Sequence, residues 1–588
     1  MRPRLALAIA AVGALFATAC VSDAATPRNR VDDPVVTAPT TNPDGPAEGA
    51  SPDDPIITVV SSDPDLISGG DARIRIENPT TDTVVRLNGV DVTAAFKTRN
   101  DGSLNGVVTG MALGANSLAV TADGLTFAQS LTNHPRRGPV FSGPQSEPLV
   151  CTTEQHGLGP PVDELCSAPT KVFWTYVDAS GALLPLEGTP ASVDAASVTI
   201  DDETVDFIIR NEVGTINRGV YWLHTLDPDP AIGSLNQPWR GRPIWNNRLV
   251  MKYGPGCGAS RSQGSPSIAP PGPPELGGPV DLELLSDGYA VASSTLTTFA
   301  THCNDVLGAE TTMMVKERFI EEYAAPQLTL GVGSSGGAMQ EFLVSQNYPG
   351  LLDGLVASLP FPDMVTVLPG VIDCELLGRY YQTESGQSLT SDQRAAVNGH
   401  LVAGTCPFAD TVFGPAFSPS AGCDPSLAFE TFNPFFNPTA IRCTPWDGAP
   451  QLFLAPDGEG DPDAPFDNVG VQYGLEAYQD GVIGIGQFLD LNEFVGGRDP
   501  DGGAQPARTE AELEQIERLY REGRVNQAGG DLRRIPVVLI DVYTDAAGDV
   551  HDRWRVFSLR ERIGGGASTP PPNVALWTVQ TNLTGQFT

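Results

Sequence analysis

Residues able to do covalent chemistry converge on one serine. The run Gly333-Ser334-Ser335-Gly336-Gly337 follows a short apolar stretch, Leu328-Thr-Leu-Gly-Val332, and precedes an amphipathic segment. A G-x-S-x-G pentapeptide between a strand and a helix is a nucleophile elbow, with Ser335 at its apex. The turn is so sharp that side chains at Gly333 and Gly337 would collide with neighbouring backbone. It holds the serine oxygen above the sheet, and the N–H groups that open the next helix favour negative charge beside it. The chemistry is attack on an acyl carbon. It needs a base, an acid to orient that base, and an oxyanion hole.

One oxyanion donor is expected from the backbone N–H of Gly336, the residue after the nucleophile. The other is expected from the loop Gly254-Pro-Gly256-Cys257-Gly258, where Pro255 cannot donate and Gly256 or Cys257 can. Around such an elbow the acid and then the base follow the serine along the chain. The loop Thr544–Asp552 comes after the late apolar run Pro536–Tyr543. Asp545, just beyond that run, is the acid expected; Asp549 and Asp541 are the alternatives. Six histidines permit elimination. His134, His156, His224 and His400 lie in a connection, a cysteine-bounded segment, an early β-run and an insertion. His551 alone lies downstream of the acid, whereas Thr581–Thr588, after the last strand, holds no histidine. The base is therefore His551, or His302, or a residue beyond Thr588. Without one, the chain is a binding or surface protein on a scaffold that lacks a competent base.

These residues need elements to position them. Arg248–Tyr253, Tyr289–Ser294, Leu328–Gly331, Leu352–Leu359, Pro536–Tyr543 and Asn573–Gln580 read as strands. Ala309–Tyr323, Gly337–Tyr348 and Asp552–Ile563 read as helices between them. That alternation predicts a mostly parallel sheet with helices on both faces. Residues 57–131 differ: short alternating runs separated by Asn-Gly and Asp-Gly turns predict a small antiparallel β-sandwich, read as a spacer or packing module, with binding to a polymer or cell surface the alternative. Residues 361–530 interrupt the α/β rhythm within 132–588 and are expected to form a disulfide-braced lid. The Asp-rich turns at Asp457–Asp467 and Asp499–Gly503 lack the spacing of a calcium loop and read as solvated turns.

Residues 1–20 have the charged start, apolar centre and small-residue end of an export signal. Ala17-Thr-Ala-Cys20 resembles the lipobox of bacterial lipoproteins, with Cys20 the lipidated residue and the route to membrane attachment. Residues 21–56 read as a disordered tether. The localisation expected is exported: extracellular, periplasmic or lipid-anchored at the envelope. Eight further cysteines, an even number, predict four disulfides. Proximity along the chain suggests Cys151–Cys166 and Cys257–Cys303, leaving Cys374, Cys406, Cys423 and Cys443 to pair among themselves. The absence of a C-x-x-C pair argues against a zinc cluster. A net charge of −36 over 588 residues argues against nucleic acid as a partner. No metal or organic cofactor is implied.

Trp245-Asn-Asn-Arg-Leu-Val250, Asp287–Ser294 and the Gly333–Gly337 elbow, with Pro139–Pro144 and Thr301-His-Cys-Asn-Asp305, together resemble a large family of exported bacterial α/β-hydrolases. That family is distantly similar to the tannase and feruloyl esterase family, whose members cleave phenolic esters with a Ser-Asp-His triad. The resemblance runs from about residue 57 onward. It implies an α/β-hydrolase fold and hydrolysis of phenolic, short acyl, polyester or oligoester substrates, with Ser335 matching the nucleophile. The sequence departs from the tannase pattern in two places. Ser334, not a cysteine, precedes Ser335, and no His-Cys pair occurs late in the chain.

Overall fold

A computed structural model describes residues 54–230, 244–267, 272–453, 462, 464–567 and 569–579. The proposed export signal with Cys20, almost all of the tether and most of the Asp457–Asp467 turn lie outside the described residues. No helix among those described is long and apolar enough to cross a membrane.

The strands that carry the site belong to one ten-stranded mixed sheet. In chain order they are β1 (Lys171–Val177), β2 (Leu183–Pro185), β3 (Ile208–Ile216), β4 (Gly219–Leu226), β5 (Arg248–Tyr253), β6 (Ala290–Ser294), β7 (Leu328–Ser334), β8 (Gly354–Ser358), β9 (Val537–Val542) and β10 (Val574–Val579). Their spatial order is β2-β1-β3-β4-β6-β5-β7-β8-β9-β10. The pairs from β6 through to β10 are parallel, and those from β2 to β6 antiparallel. The expected strand Arg248–Tyr253 appears with the same ends and the others with ends moved by at most three residues, while β1 and β2 fall in a stretch that sequence patterning leaves unassigned. Parallel pairing explains why the central strands are apolar on both sides. Leu249, Met251 and Tyr253 of β5 face one core, and Val250 faces the other.

Helix α1 (Asp305–Glu322) and helix α2 (Gly336–Asn347) cover the first face, joined there by Val556, Leu559 and Ile563 of helix α5 (Trp554–Gly564). Helix α1 starts four residues before the apolar periodicity does. Asn304 caps it by accepting from Leu307 N–H at 3.1 Å. The second face is covered in part by Leu284 and Leu285 of the short helix Leu282–Ser286.

Residues 56–134 form a four-stranded and a five-stranded sheet around a shared core that includes Ile74, Ile76, Val85, Leu118, Val120 and Leu131. Pairing is antiparallel except between Ile67–Ser68 and Leu125–His134. These sheets are tied to the end of α1. Arg73 donates to the carbonyls of Ile320 and Glu321, each at 2.6 Å, so its charge meets the negative end of the helix. Ser68 N–H donates to Glu317 at 2.9 Å.

Between β8 and β9 the chain leaves the sheet for the insertion. It includes helix α3 (Met364–Tyr380) and helix α4 (Thr405–Phe413), joined by Cys374–Cys406, with Cys423–Cys443 further along. Its core extends to Phe299, after β6, and to Met339 in the first turn of α2, so the insertion is packed over the carboxyl ends of the central strands. The two other expected disulfides, Cys151–Cys166 and Cys257–Cys303, are formed as well. In the Asp499–Gly503 turn the Asp499 carboxylate accepts the turn's own Gly503 N–H at 2.6 Å, as a self-contained turn should.

Candidate active site

Three parallel strands, β5, β7 and β9, deliver the site residues from their carboxyl ends, where ligands bind in open α/β sheets. Their register keeps those ends level: Tyr253 is opposite Gly333, and Ser358 is opposite both Ser334 and Ile540.

Strand β7 runs straight into α2 with Ser335 as the single intervening residue. Ser335 has φ 55° and ψ −117°, a backbone conformation rare for a residue with a side chain. Its N–H donates to Ser358 O at 2.9 Å, which holds the turn. A Cβ at Gly333 would lie 2.6 Å from the carbonyl carbon of Gly337, and one at Gly337 would lie 2.4 Å from Tyr253 O. The collisions expected from the pentapeptide are therefore real ones.

His551 reaches the serine from the loop after β9. Its Nε2 lies 3.0 Å from Ser335 Oγ, and its Nδ1 lies 2.5 Å from Asp549 Oδ1. The carboxylate accepts from Nδ1–H, which leaves the Nε2 lone pair for the serine hydroxyl. Burial alone would raise the Asp549 carboxyl. The hydrogen bonds from the His551 ring and backbone N–H hold it below its ordinary value instead, so it stays ionised beside the ring. Phe361, fully buried, packs against the imidazole with ring centroids 4.9 Å apart.

The acid in contact with His551 is thus Asp549, which corrects the expectation of Asp545. Asp545 Oδ1 accepts from Arg553 N–H at 3.0 Å and is committed to the turn that leads into α5. Asp541 is buried and pairs with Arg553 Nε at 3.2 Å while accepting from Thr578 Oγ1 at 3.1 Å. Asp549 has a local reason to succeed. Its carboxylate accepts the backbone N–H two residues on, that of His551, at 2.8 Å. The same oxygen then meets the ring of the residue it has just positioned.

Among the described residues, the other histidines make contacts elsewhere. The Nε2 of His302 lies 3.0 Å from Ser262 O, and burial pushes its ring down to about 4. The same burial predicts a pH effect on stability. The unfolded chain binds this proton near the ordinary value of 6.5 and the folded chain does not, so folding weakens as pH falls from 6.5 towards 4. His302→Gln, which keeps an N–H donor, is expected to flatten the urea-measured stability across that window by at most about 3 kcal/mol. An unchanged slope would reject the assignment.

The Gly254–Gly258 loop lies beside the elbow. A Cβ at Gly336 would lie 1.9 Å from Gly256 O, and Gly256 itself has φ 88°. The loop is pinned to the segment after β6. Gly254 N–H donates to Thr297 O at 2.8 Å, Gly258 N–H to Phe299 O at 2.9 Å, and Cys303 N–H to Gly258 O at 2.7 Å. The Cys257–Cys303 disulfide adds a covalent tie. Among the described residues, the N–H groups of Gly256, Cys257 and Gly336 have no backbone acceptor. They remain available to an oxygen at the start of α2, the end of the helix that favours negative charge.

Sequence reasoning missed the apolar wall. Met339 and Phe361 line a cavity at Ser335, with Met364, Val367 and Val371 of α3 and Phe413 and Phe417 beyond them. The spacing of 364, 367 and 371 marks one face of a helix, a signal present in the sequence but obscured because α3 is apolar nearly all round.

A family profile described as a tannase-like family of unknown function (DUF6351) matches residues 57–586. Solved structures similar to this chain include an esterase from Aspergillus oryzae, at 14% identity and TM-score 0.28 over 73% of this chain and 82% of that one. Feruloyl esterase B from Aspergillus oryzae matches at 12% and 0.31, over 70% and 79%. A tannin acyl hydrolase from Aspergillus niger matches at 13% and 0.30, over 73% and 81%. At these values the likenesses carry no weight in assigning an activity. No curated protein matches the chain.

Proposed function

The chain belongs to this tannase-like family of unknown function, and on that premise we propose that it is an exported serine hydrolase of carboxylic esters. The observation that carries the proposal is the unbroken line Asp549–His551–Ser335, ending at an elbow flanked by unused N–H groups. In this reading His551 Nε2 takes the Ser335 proton as Oγ bonds to the ester carbon. The oxyanion rests on Gly336 N–H and on Gly256 or Cys257 N–H. The carbon–oxygen bond then breaks, and His551 returns the proton to the departing alcohol. Water attacks the acyl-enzyme, gives a proton to His551, and releases the acid with Ser335 restored. Asp549 keeps the imidazole in the required tautomer and stabilises its cation.

Export is supported by the N-terminal signal pattern and by four formed disulfides, which persist in oxidising compartments. Cys20 is the proposed lipid attachment point. The insertion acts as a lid in which Cys374–Cys406 ties two helices together over Ser335. The alternative of a binding protein without a base loses its motive, since a histidine is within hydrogen-bond reach of the serine.

Labelling of the full chain with a fluorophosphonate, mapped by mass spectrometry, tests the reading. The adduct is expected on Ser335 and absent from Ser335→Ala. A folded protein that takes no label would overturn it.

A further inference from the structure

The cavity beside Ser335 has two kinds of wall. Gly256, Cys257 and Gly336 form the part that would face a carbonyl oxygen. The remainder is built from the phenyl rings of Phe361, Phe413 and Phe417, the thioethers of Met339 and Met364, and the methyl groups of Val367 and Val371. Apart from Ser335, no lining side chain carries a hydrogen-bonding group. The acidic residues of α3 are engaged elsewhere. Asp373 accepts from Tyr473 O–H at 2.5 Å, and Glu375 pairs with Arg379 and with Arg498.

We propose, resting on the ester-hydrolase reading above, that this cavity is the acyl subsite. We further propose that the substrates are esters of compact, uncharged acyl groups without hydroxyls, and that polyhydroxylated aroyl esters are discriminated against. The direction of binding follows from the proton path. His551 must hand its proton to the departing oxygen, so the alcohol leaves on the histidine's side. His551 is not part of the cavity wall, whereas the N–H-bearing glycines are. The cavity therefore receives the other substituent of the carbonyl carbon, the acyl chain.

Size and chemistry set the class. The space open to the centre of a water molecule is ≈ 20 Å³, and a single water needs about 10–15 Å³ by that measure, so only a compact group fits. Two of its walls, α3 and α4, are joined by Cys374–Cys406, which restrains them from parting around a larger group. A hydroxyl on a seated acyl group would face rings, methyls and thioethers and lose its hydrogen bonds to water without replacement. Apolar pockets reject an added hydroxyl by about 100-fold and reward a fitted methylene by about 10-fold or more.

The test uses the full chain and 4-nitrophenyl esters of acetate, butanoate, benzoate and 3,4,5-trihydroxybenzoate. Each kcat/KM is divided by the ester's own alkaline hydrolysis rate, which removes differences in intrinsic reactivity. Butanoate is expected to exceed acetate by about 10-fold or more, and benzoate to exceed trihydroxybenzoate by about 100-fold or more. In Val371→Trp, which fills the cavity, the butanoate-to-acetate ratio is expected to fall by about 10-fold. Should Ser335 take the fluorophosphonate while trihydroxybenzoate matches or exceeds benzoate, the acyl-group assignment is overturned and the ester-hydrolase reading stands. If neither label nor turnover appears, the reading fails and takes this inference with it.

Discussion

His551→Ala is expected to lower kcat for a good ester substrate by about 10⁶-fold, the scale seen when the base of a serine triad is removed. The reason is geometric. Nε2 is 3.0 Å from Ser335 Oγ, and no other histidine among the described residues is in hydrogen-bond contact with that oxygen. Without the imidazole the hydroxyl must attack while protonated, and the departing alkoxide leaves without a proton. KM should change far less, because the ring lies outside the apolar cavity. Fluorophosphonate labelling should be lost in parallel while the fold, followed by near-ultraviolet circular dichroism, is kept. A variant that stays within tenfold of the parent rate would place the base elsewhere.

Asp549→Asn is the second large effect, expected at about 10⁴-fold in kcat. An amide that turns its NH2 towards Nδ1 favours the tautomer with the proton on Nε2, which then cannot accept from the serine. One that turns its oxygen restores the tautomer but no longer offsets the imidazolium charge. Asp545→Asn is the informative comparison. Its carboxylate serves Arg553 N–H at the entry to α5, so the expected cost is about 1 kcal/mol of stability and less than tenfold in rate. Rates measured with the two variants side by side distinguish the acids. A large loss in Asp545→Asn with little loss in Asp549→Asn would reverse the assignment.

Much of this site is legible along the chain because its parts are local. The elbow is a pentapeptide, and its glycines are required by contacts within that turn and with the neighbouring strand. The Gly254–Gly258 loop announces itself by composition. The strands around it are short apolar runs bounded by turn residues, so the run Arg248–Tyr253 coincides with β5. Sequence-local disulfides were equally accessible: Cys151–Cys166 spans 15 residues and Cys257–Cys303 spans 46.

The acid was harder to read because three carboxylates lie within nine residues of one another, and distance from the end of β9 does not rank them. What distinguishes Asp549 is a hydrogen bond to the N–H two residues on, a feature compatible with its spacing but made specific only by the folded loop. The apolar cavity was further out of reach. Its walls come from α2, the segment after β8, α3, α4 and the turn after it, and no periodicity connects residues so far apart.

The sequence by itself determined the nucleophile's turn, the alternation that builds a parallel sheet, the even set of cysteines and the candidates for each catalytic part. These depend on steric and hydrogen-bonding demands that act over a few residues. Tertiary structure alone decided that Asp549 rather than Asp545 meets His551, that His302 is held by Ser262, and that the insertion's helices wall the cavity with rings and methyl groups. Those outcomes depend on which side chains converge when β5, β7 and β9 end together. That convergence is a property of the packed sheet, and neighbouring residues along the chain do not specify it.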